Sequence, residues 1–329
     1  MNRRTALMIL PALATLRAPA VLAQGRYPDR PVRLIIPFAA GGSNDIVGRV
    51  IAEGMGSRLG QSFVVENRGG AGGVLGNEAV STAPKDGYTL LLGGSGSFLI
   101  SSLVQPKVPY DIIRDFAPVG FIGNAPNVIT VNPKVEATTM GELRDLARRA
   151  KPPLSYASPG VGTTGHVLGA LLSLEFGAEM EHIPYRGTGP AITDVLAGRV
   201  QILTNAAAPL RPHIASGGLR ALAVAAPRRL EFLADVPTTV EQGFPRILSS
   251  TWYGLLGPAG MPADRVAALH AALNATLADA GAKQRLAEEG VEIEMSPTPA
   301  DYARHHSARM LARVTTSCQR VRSVSMKRA

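Results

Sequence analysis

Short β-rich runs alternate with stretches of helical periodicity along this chain, and once in each half a strand pattern ends in a glycine-rich turn that opens a helix. These turns are Pro37-Phe-Ala-Ala-Gly-Gly-Ser-Asn-Asp45 and Ser158-Pro-Gly-Val-Gly-Thr-Thr-Gly-His166. Such alternation predicts an α/β fold of mostly parallel sheets covered by helices. Strands are expected at 32–36, 63–66, 89–92, 119–122, 127–131, 154–157, 181–184, 200–203 and 221–225, and helices at 46–59, 140–150, 165–176, 189–198, 263–279 and 282–289. One strand, turn and helix unit per half, with no short-period repeat, fits two similar lobes.

Gly41-Gly42 permit backbone shapes that a side chain forbids, and Ser43 or Asn44 is expected to cap the helix that follows. A helix start leaves N–H groups unpaired. With hydroxyls beside them, each turn is a seat for an anionic oxygen, and two such seats can hold one carboxylate-bearing molecule. An ordinary cap with nothing bound is the plainer reading of either turn. Gly160-Val-Gly-Thr-Thr-Gly165 also matches the dinucleotide fingerprint, and Glu179 and Glu181 lie near the spacing of a ribose-binding acid. Spacing therefore leaves a dinucleotide-dependent enzyme open. Ser158-Pro159 lengthen the turn beyond the usual fingerprint, and export separates the chain from nicotinamide cofactors.

The export reading rests on the first residues. Met1-Asn-Arg-Arg precedes an apolar run from Ala6 to Leu16 and then Val21-Leu-Ala23, which reads as a signal peptide cut after about Ala23, with a periplasmic mature chain. Arg3-Arg4 leaves twin-arginine export open, although the following residues fit it poorly. No stretch approaches about 18 uninterrupted apolar residues, so a membrane-embedded chain is not expected.

The net charge of +9 invites a nucleic-acid reading, but the charges sit at the ends. Residues 1–23 carry three arginines and residues 302–329 seven Lys or Arg, with no acid in either stretch; removing them leaves a body near −1. A neutral body with 5% aromatics lacks both the phosphate-binding stripe and the stacking platform that nucleic acid requires. The single cysteine, Cys318, leaves an exported chain without an internal disulfide, so its 46% hydrophobic residues must supply the core.

Catalytic patterns are thin: no H-E-x-x-H, no G-x-S-x-G and no phosphate loop ending in Gly-Lys-Ser/Thr occurs. Neither a cofactor nor a metal is expected. Two readings of His166 stand, a ligand donor or a satisfied helix-start histidine. Asp45 reads as structural rather than as a base, since a helix start stabilises its charged form. His305-His306 read as solvated.

At this point the residues resemble the Bug-type substrate-binding receptors of tripartite tricarboxylate transporters. The resemblance is carried by Tyr27-Pro-Asp-Arg-Pro31, Pro37 to Asp45, Val65-Glu-Asn-Arg68, Gly70-Ala-Gly-Gly73, Asp86-Gly-Tyr-Thr89 and Tyr110-Asp111. It continues through Ala157 to His166, Pro184-Tyr-Arg-Gly-Thr188, Val236-Pro-Thr238, Glu241-Gln-Gly243 and Trp252-Tyr-Gly-Leu-Leu256, so that it spans residues 27–301 in family order.

The resemblance implies a monomeric two-lobed periplasmic binding protein of type II-like fold that closes on a small organic acid and delivers it to the transporter's membrane subunits. Lobe 1 would be 27–122 plus 245–314 and lobe 2 123–244. Carried over, the ligand-binding residues are Phe38, Ala39, Gly41, Gly42, Ser43 and Asp45, with Ser95 and Gly96 nearby. The second lobe would offer Ser158, Gly160, Gly162, Thr163, Thr164 and His166, then Arg186, Gly187 and Thr188. Arg186 has two readings, pairing with a second ligand carboxylate or bridging loops.

Two departures stand out. Thr204-Asn205-Ala206 occupies a ligand-side loop where relatives often carry Phe-Asp-Asn, so Asn205 points to a ligand without an ammonium group there. From Thr315 the chain carries a basic run instead of the family's tryptophan-bearing helix; a disordered tail over 315–329, of the kind a frameshift leaves, is expected. An extracytoplasmic receptor feeding a signalling system would have the same site and is the alternative function.

Overall fold

The computed structural model describes residues 27–101 and 107–304. The expected signal segment, His305, His306, Cys318 and the basic tail lie outside the described residues. The strands are β1 Val32–Ile36, β2 Phe63–Asn67, β3 Thr89–Gly94, β4 Phe116–Val131, β5 Leu154–Ser158, β6 Met180–Pro184, β7 Ile202–Ala206, β8 Arg220–Val224, β9 Ser250–Pro258 and β10 Glu292–Ile293. The helices are α1 Ser43–Leu59, α2 Val74–Ser81, α3 Met140–Arg149, α4 Thr164–Phe176, α5 Thr188–Leu196, α6 Arg211–Ala215, α7 Ala263–Ala278, α8 Ala280–Glu288 and α9 Pro299–Arg304, with a π-helical turn at Ser95–Ile100.

The strands run in the order β2-β1-β3-β9-β4-β7-β5-β6, with β8 and β10 also pairing with β4. In the first half, β1 lies parallel to both β2 and β3. In the second half, β5 lies parallel to both β6 and β7. Each trio is joined by helical crossovers, which is why β1 reads as an almost unbroken apolar run: both of its faces are covered. Leu34, Ile36, Ile51 and Met55 are fully buried in the first core, and Leu168, Leu172, Phe176 and Ile202 in the second. Each such side chain contributes about 1.5–3 kcal/mol, so each lobe has its own core.

Three strands differ from expectation: β4, β9 and the two-residue β10, which is absent from the expected strands. The runs 119–122 and 127–131 form one strand, β4, because register shifts at Pro118/Gly120 and Phe121/Gly123 absorb the residues that read as breakers. Gly123 has φ 154°, and a Cβ there would lie 2.2 Å from Glu292 O, so only glycine lets β10 close onto this bend. The first part of β4 pairs with β9, as far as Pro126 opposite Ser250; from Asn127 onward it pairs with β7 and β8. β9 is absent from the expected strands. Asn127 ties the two connecting segments together: its N–H donates to Ser249 O (2.9 Å) and its side-chain amide to Ser249 Oγ (2.7 Å).

Candidate functional site

β1 ends at Ile36, and the chain turns through Gly41 (φ 81°) into α1. The Gly41 N–H donates to Asp45 Oδ2 (3.0 Å), Arg49 Nε donates to the same oxygen (3.1 Å), and Asn67 Nδ2 donates to Asp45 Oδ1 (3.0 Å). Burial alone would raise the Asp45 pKa, but Arg49, the Gly41 N–H and Asn67 together hold it below the ordinary carboxylate value. Asp45 is thus a clamp that shapes the turn. The expected side-chain cap does not form: Gly42 is the N-cap, and Ser43 and Asn44 open the helix itself. Gly42 caps without a side chain, and the Ser43 hydroxyl faces the Tyr253 phenol.

The second turn is built differently. Gly160 (φ 144°) and Gly162 (φ 80°) carry the chain from β5 to Thr163, which caps α4 by accepting from the His166 N–H. Thr163 Oγ1 also donates to Gly160 O (2.8 Å). The Gly162 N–H donates to His166 Nδ1 (3.2 Å), which places the ring proton on Nε2. His166 stacks on His182 (centroids 4.1 Å apart), and His182 stacks on Tyr156 and sits 2.7 Å from Ser158 Oγ. Burial pushes both histidines down, His182 to about 3 with His166 adding to the shift. Both rings are therefore neutral at pH 7, and the helix-start reading of His166 describes its geometry. Gly165 serves packing, since a Cβ there would lie 2.2 Å from Thr204 O on β7.

Each turn meets the opposite lobe at contact distance. A Cβ on Gly96 would lie 3.1 Å from Thr163 Cα, one on Gly42 would lie 3.4 Å from Thr188 Oγ1, and one on Gly187 would lie 3.2 Å from Ala39 Cβ. Between the lobes remains a cavity of about 30 Å³, room for about two water molecules or the two oxygens of a carboxylate. Of the expected residues, Phe38, Ala39, Gly42, Ser43 and Gly96 line it from one side. Thr163, Thr164, Thr188 and Asn205 line it from the other. No charged side chain is among the lining residues.

The remaining expected residues lie elsewhere. Asp45, Ser158, Gly162 and His166 shape the turns from behind, Gly187 is the N-cap of α5, and Ser95 Oγ accepts from the Trp252 N–H (3.2 Å). Gly41 opens on a separate surface crevice beside α5. Gly160 and the exposed Arg186 line an outer crevice of about 370 Å³ that shares Phe38 and Pro159 with the cavity. Sequence reasoning missed Asn44, Ser97, Pro159, Thr251 and Tyr253, which also line the cavity. For Tyr253 a signal existed: a phenol inside an apolar run has to find a polar partner when buried.

Electrostatically, the first residues of three helices, Ser43 of α1, Thr164 of α4 and Thr188 of α5, reach this cavity. Each helix start carries roughly half a positive charge, so the cavity favours an anion without any lysine or arginine.

A family model described as the tripartite tricarboxylate transporter family receptor matches residues 47–313. Protein BugT of Bordetella pertussis is 35% identical over 279 residues, covering 84% of this chain and 86% of its own. The structure of R. palustris Rpa4515 with adipate superposes with a TM-score of 0.85 at 31% identity, covering 90% of this chain and 98% of its own. MatC of Rhodopseudomonas palustris with bound malate gives 0.82 at 28%, covering 90% and 100%. The two-lobed α/β architecture is that of periplasmic binding proteins, and the chain belongs to the receptor family of tripartite tricarboxylate transporters.

Proposed function

We propose that the protein is exported, captures a small carboxylate-bearing metabolite between its lobes and hands it unchanged to the membrane subunits of a tripartite tricarboxylate transporter. The carrying observation is the cavity between the lobes, lined by no charged side chain, on which three helix starts converge. A carboxylate seated there would accept hydrogen bonds from hydroxyls and first-turn N–H groups, each worth about 1.5–3 kcal/mol to a charged partner. A few suffice for micromolar affinity, about −8 kcal/mol, after association costs. Relatives solved with adipate and with malate support the ligand class. The outer crevice with Arg186 gives a longer acid room beyond the cavity.

A thermal-shift screen of the mature protein against organic acids tests this reading. An acid at 100 times its dissociation constant adds about 2.7 kcal/mol of stability and raises the melting temperature. A panel of mono-, di- and tricarboxylates that leaves the transition unmoved contradicts it.

A further inference from the structure

The two walls of the cavity differ in what they leave unsatisfied. On the α4 and α5 side the hydroxyls are already engaged: Thr163 Oγ1 with Gly160 O, Thr164 Oγ1 with Thr251 Oγ1 (2.7 Å), and Thr188 Oγ1 with Asn205 Nδ2 (3.2 Å). On the α1 side Ser43 Oγ, Asn44 Oδ1, Ser97 Oγ and Tyr253 OH are buried with no partner, although Ser43, Ser97 and Tyr253 are 5%, 0% and 0% exposed. The Ser43 hydroxyl faces the Tyr253 phenol without closing a well-formed bond, and burial keeps that phenol protonated.

Three of these groups are hydroxyls that can donate to an ionised carboxylate, which only accepts. Asn44 Oδ1 also only accepts, so a carboxylate oxygen cannot satisfy it. Only a donor satisfies it, either a water held with the ligand or a group of the ligand itself. No protein acid lines the cavity to pair with an ammonium, since the nearby Asp45 carboxylate is committed to Gly41, Asn67 and Arg49, so an ammonium would lose its water against the ligand's own carboxylate alone. An uncharged hydroxyl donates at no such desolvation cost.

We propose that Asn44 selects hydroxy acids: the ligand carries a hydroxyl beside its carboxylate, and Asn44 Oδ1 accepts from it. This rests on the receptor reading above and narrows it.

Calorimetric titration of the mature protein with pairs of acids that differ by one hydroxyl tests it: lactate and propionate, malate and succinate, 3-hydroxybutyrate and butyrate. In the pair that fits, the hydroxylated acid is expected to bind at least tenfold more tightly, because its partner leaves a buried acceptor unsatisfied. Asn44→Leu should bring that ratio close to one. The comparison on the unaltered protein decides the matter even if the variant fails to fold. Equal affinities within the pairs, the outcome if the Asn44 amide turns its NH₂ to the carboxylate, overturn the inference while the receptor reading stands. An absence of binding by every acid in the panel removes the receptor reading and the inference with it.

Discussion

The hydroxyls of Thr164 and Thr251 meet 2.7 Å apart, one on the first residue of α4 and the other on β9, so a hydrogen bond joins the two lobes at the wall of the cavity. Thr251 also donates to Asn127 Oδ1 (3.3 Å), which links this contact to the strand connections between the lobes. Thr251→Val strips partners from both Thr164 and Asn127. We expect ligand affinity to fall by about tenfold, near 1.4 kcal/mol. Thr164→Val leaves the Asn127 bond in place and should cost about threefold. Calorimetric titration with the best acid distinguishes the two, and equal affinities for both variants and the unaltered protein contradict a role for this bond in closure.

Gly96→Ala places a methyl group 3.1 Å from Thr163 Cα and 3.2 Å from Thr164 N, against backbone that cannot rotate aside. Within its own lobe Gly96 meets no such obstacle among the nearest atoms. The variant should fold with an unchanged ligand-free melting temperature, bind acid at least fivefold more weakly, and keep a larger radius of gyration with ligand in small-angle scattering. A lower melting temperature without acid would place the clash inside the lobe instead.

Asp45→Asn removes the charge that holds Gly41, Arg49 and Asn67 around the first turn. A buried charge-assisted network of this size loses about 1–3 kcal/mol when its acceptor is weakened. Thermal unfolding without ligand should show the loss. A variant as stable as the unaltered protein but defective in acid binding would assign Asp45 to the ligand instead.

The His166–His182 stack makes a prediction about pH. Burial lowers both rings in the folded protein, His182 to about 3, whereas an unfolded chain protonates histidine near its ordinary value of 6.5. The stability contributed by neutral His182 is therefore complete above pH 6.5 and is lost as the pH falls towards 3, because the unfolded state takes up a proton that the folded state refuses. The slope is at most about 1.4 kcal/mol per pH unit for each proton, less where the ring edge keeps solvent. His182→Gln should flatten the dependence of melting temperature on pH across this window. An unchanged profile contradicts it.

The strand, turn and helix units were legible because each depends on neighbours in sequence: an apolar run, glycines where φ must be positive, and a helical period. Gly41, Gly160 and Gly162 occupy such positions. β4 was not legible as one strand because Gly123 and Pro126 are breakers locally, and only β10, β9 and the Asn127–Ser249 bonds compensate for them. β9 was hidden by Gly254 and Gly257 inside an apolar run, where Tyr302 and Met261 fill the space that side chains would take. Cavity membership was the least legible. Asn44 reads as a helix cap, and Ser97 and Tyr253 carry no site reading of their own in the sequence; their shared cavity exists only once the lobes meet.

The most direct measurement is a crystal structure of the mature protein with its best-binding acid. The account predicts a carboxylate in the cavity, its oxygens within hydrogen-bond distance of donors from the α1 side and from the first turn of α4. An acid held by Arg186 in the outer crevice, with lobes apart and no carboxylate between Ser43 and Thr163, would contradict it.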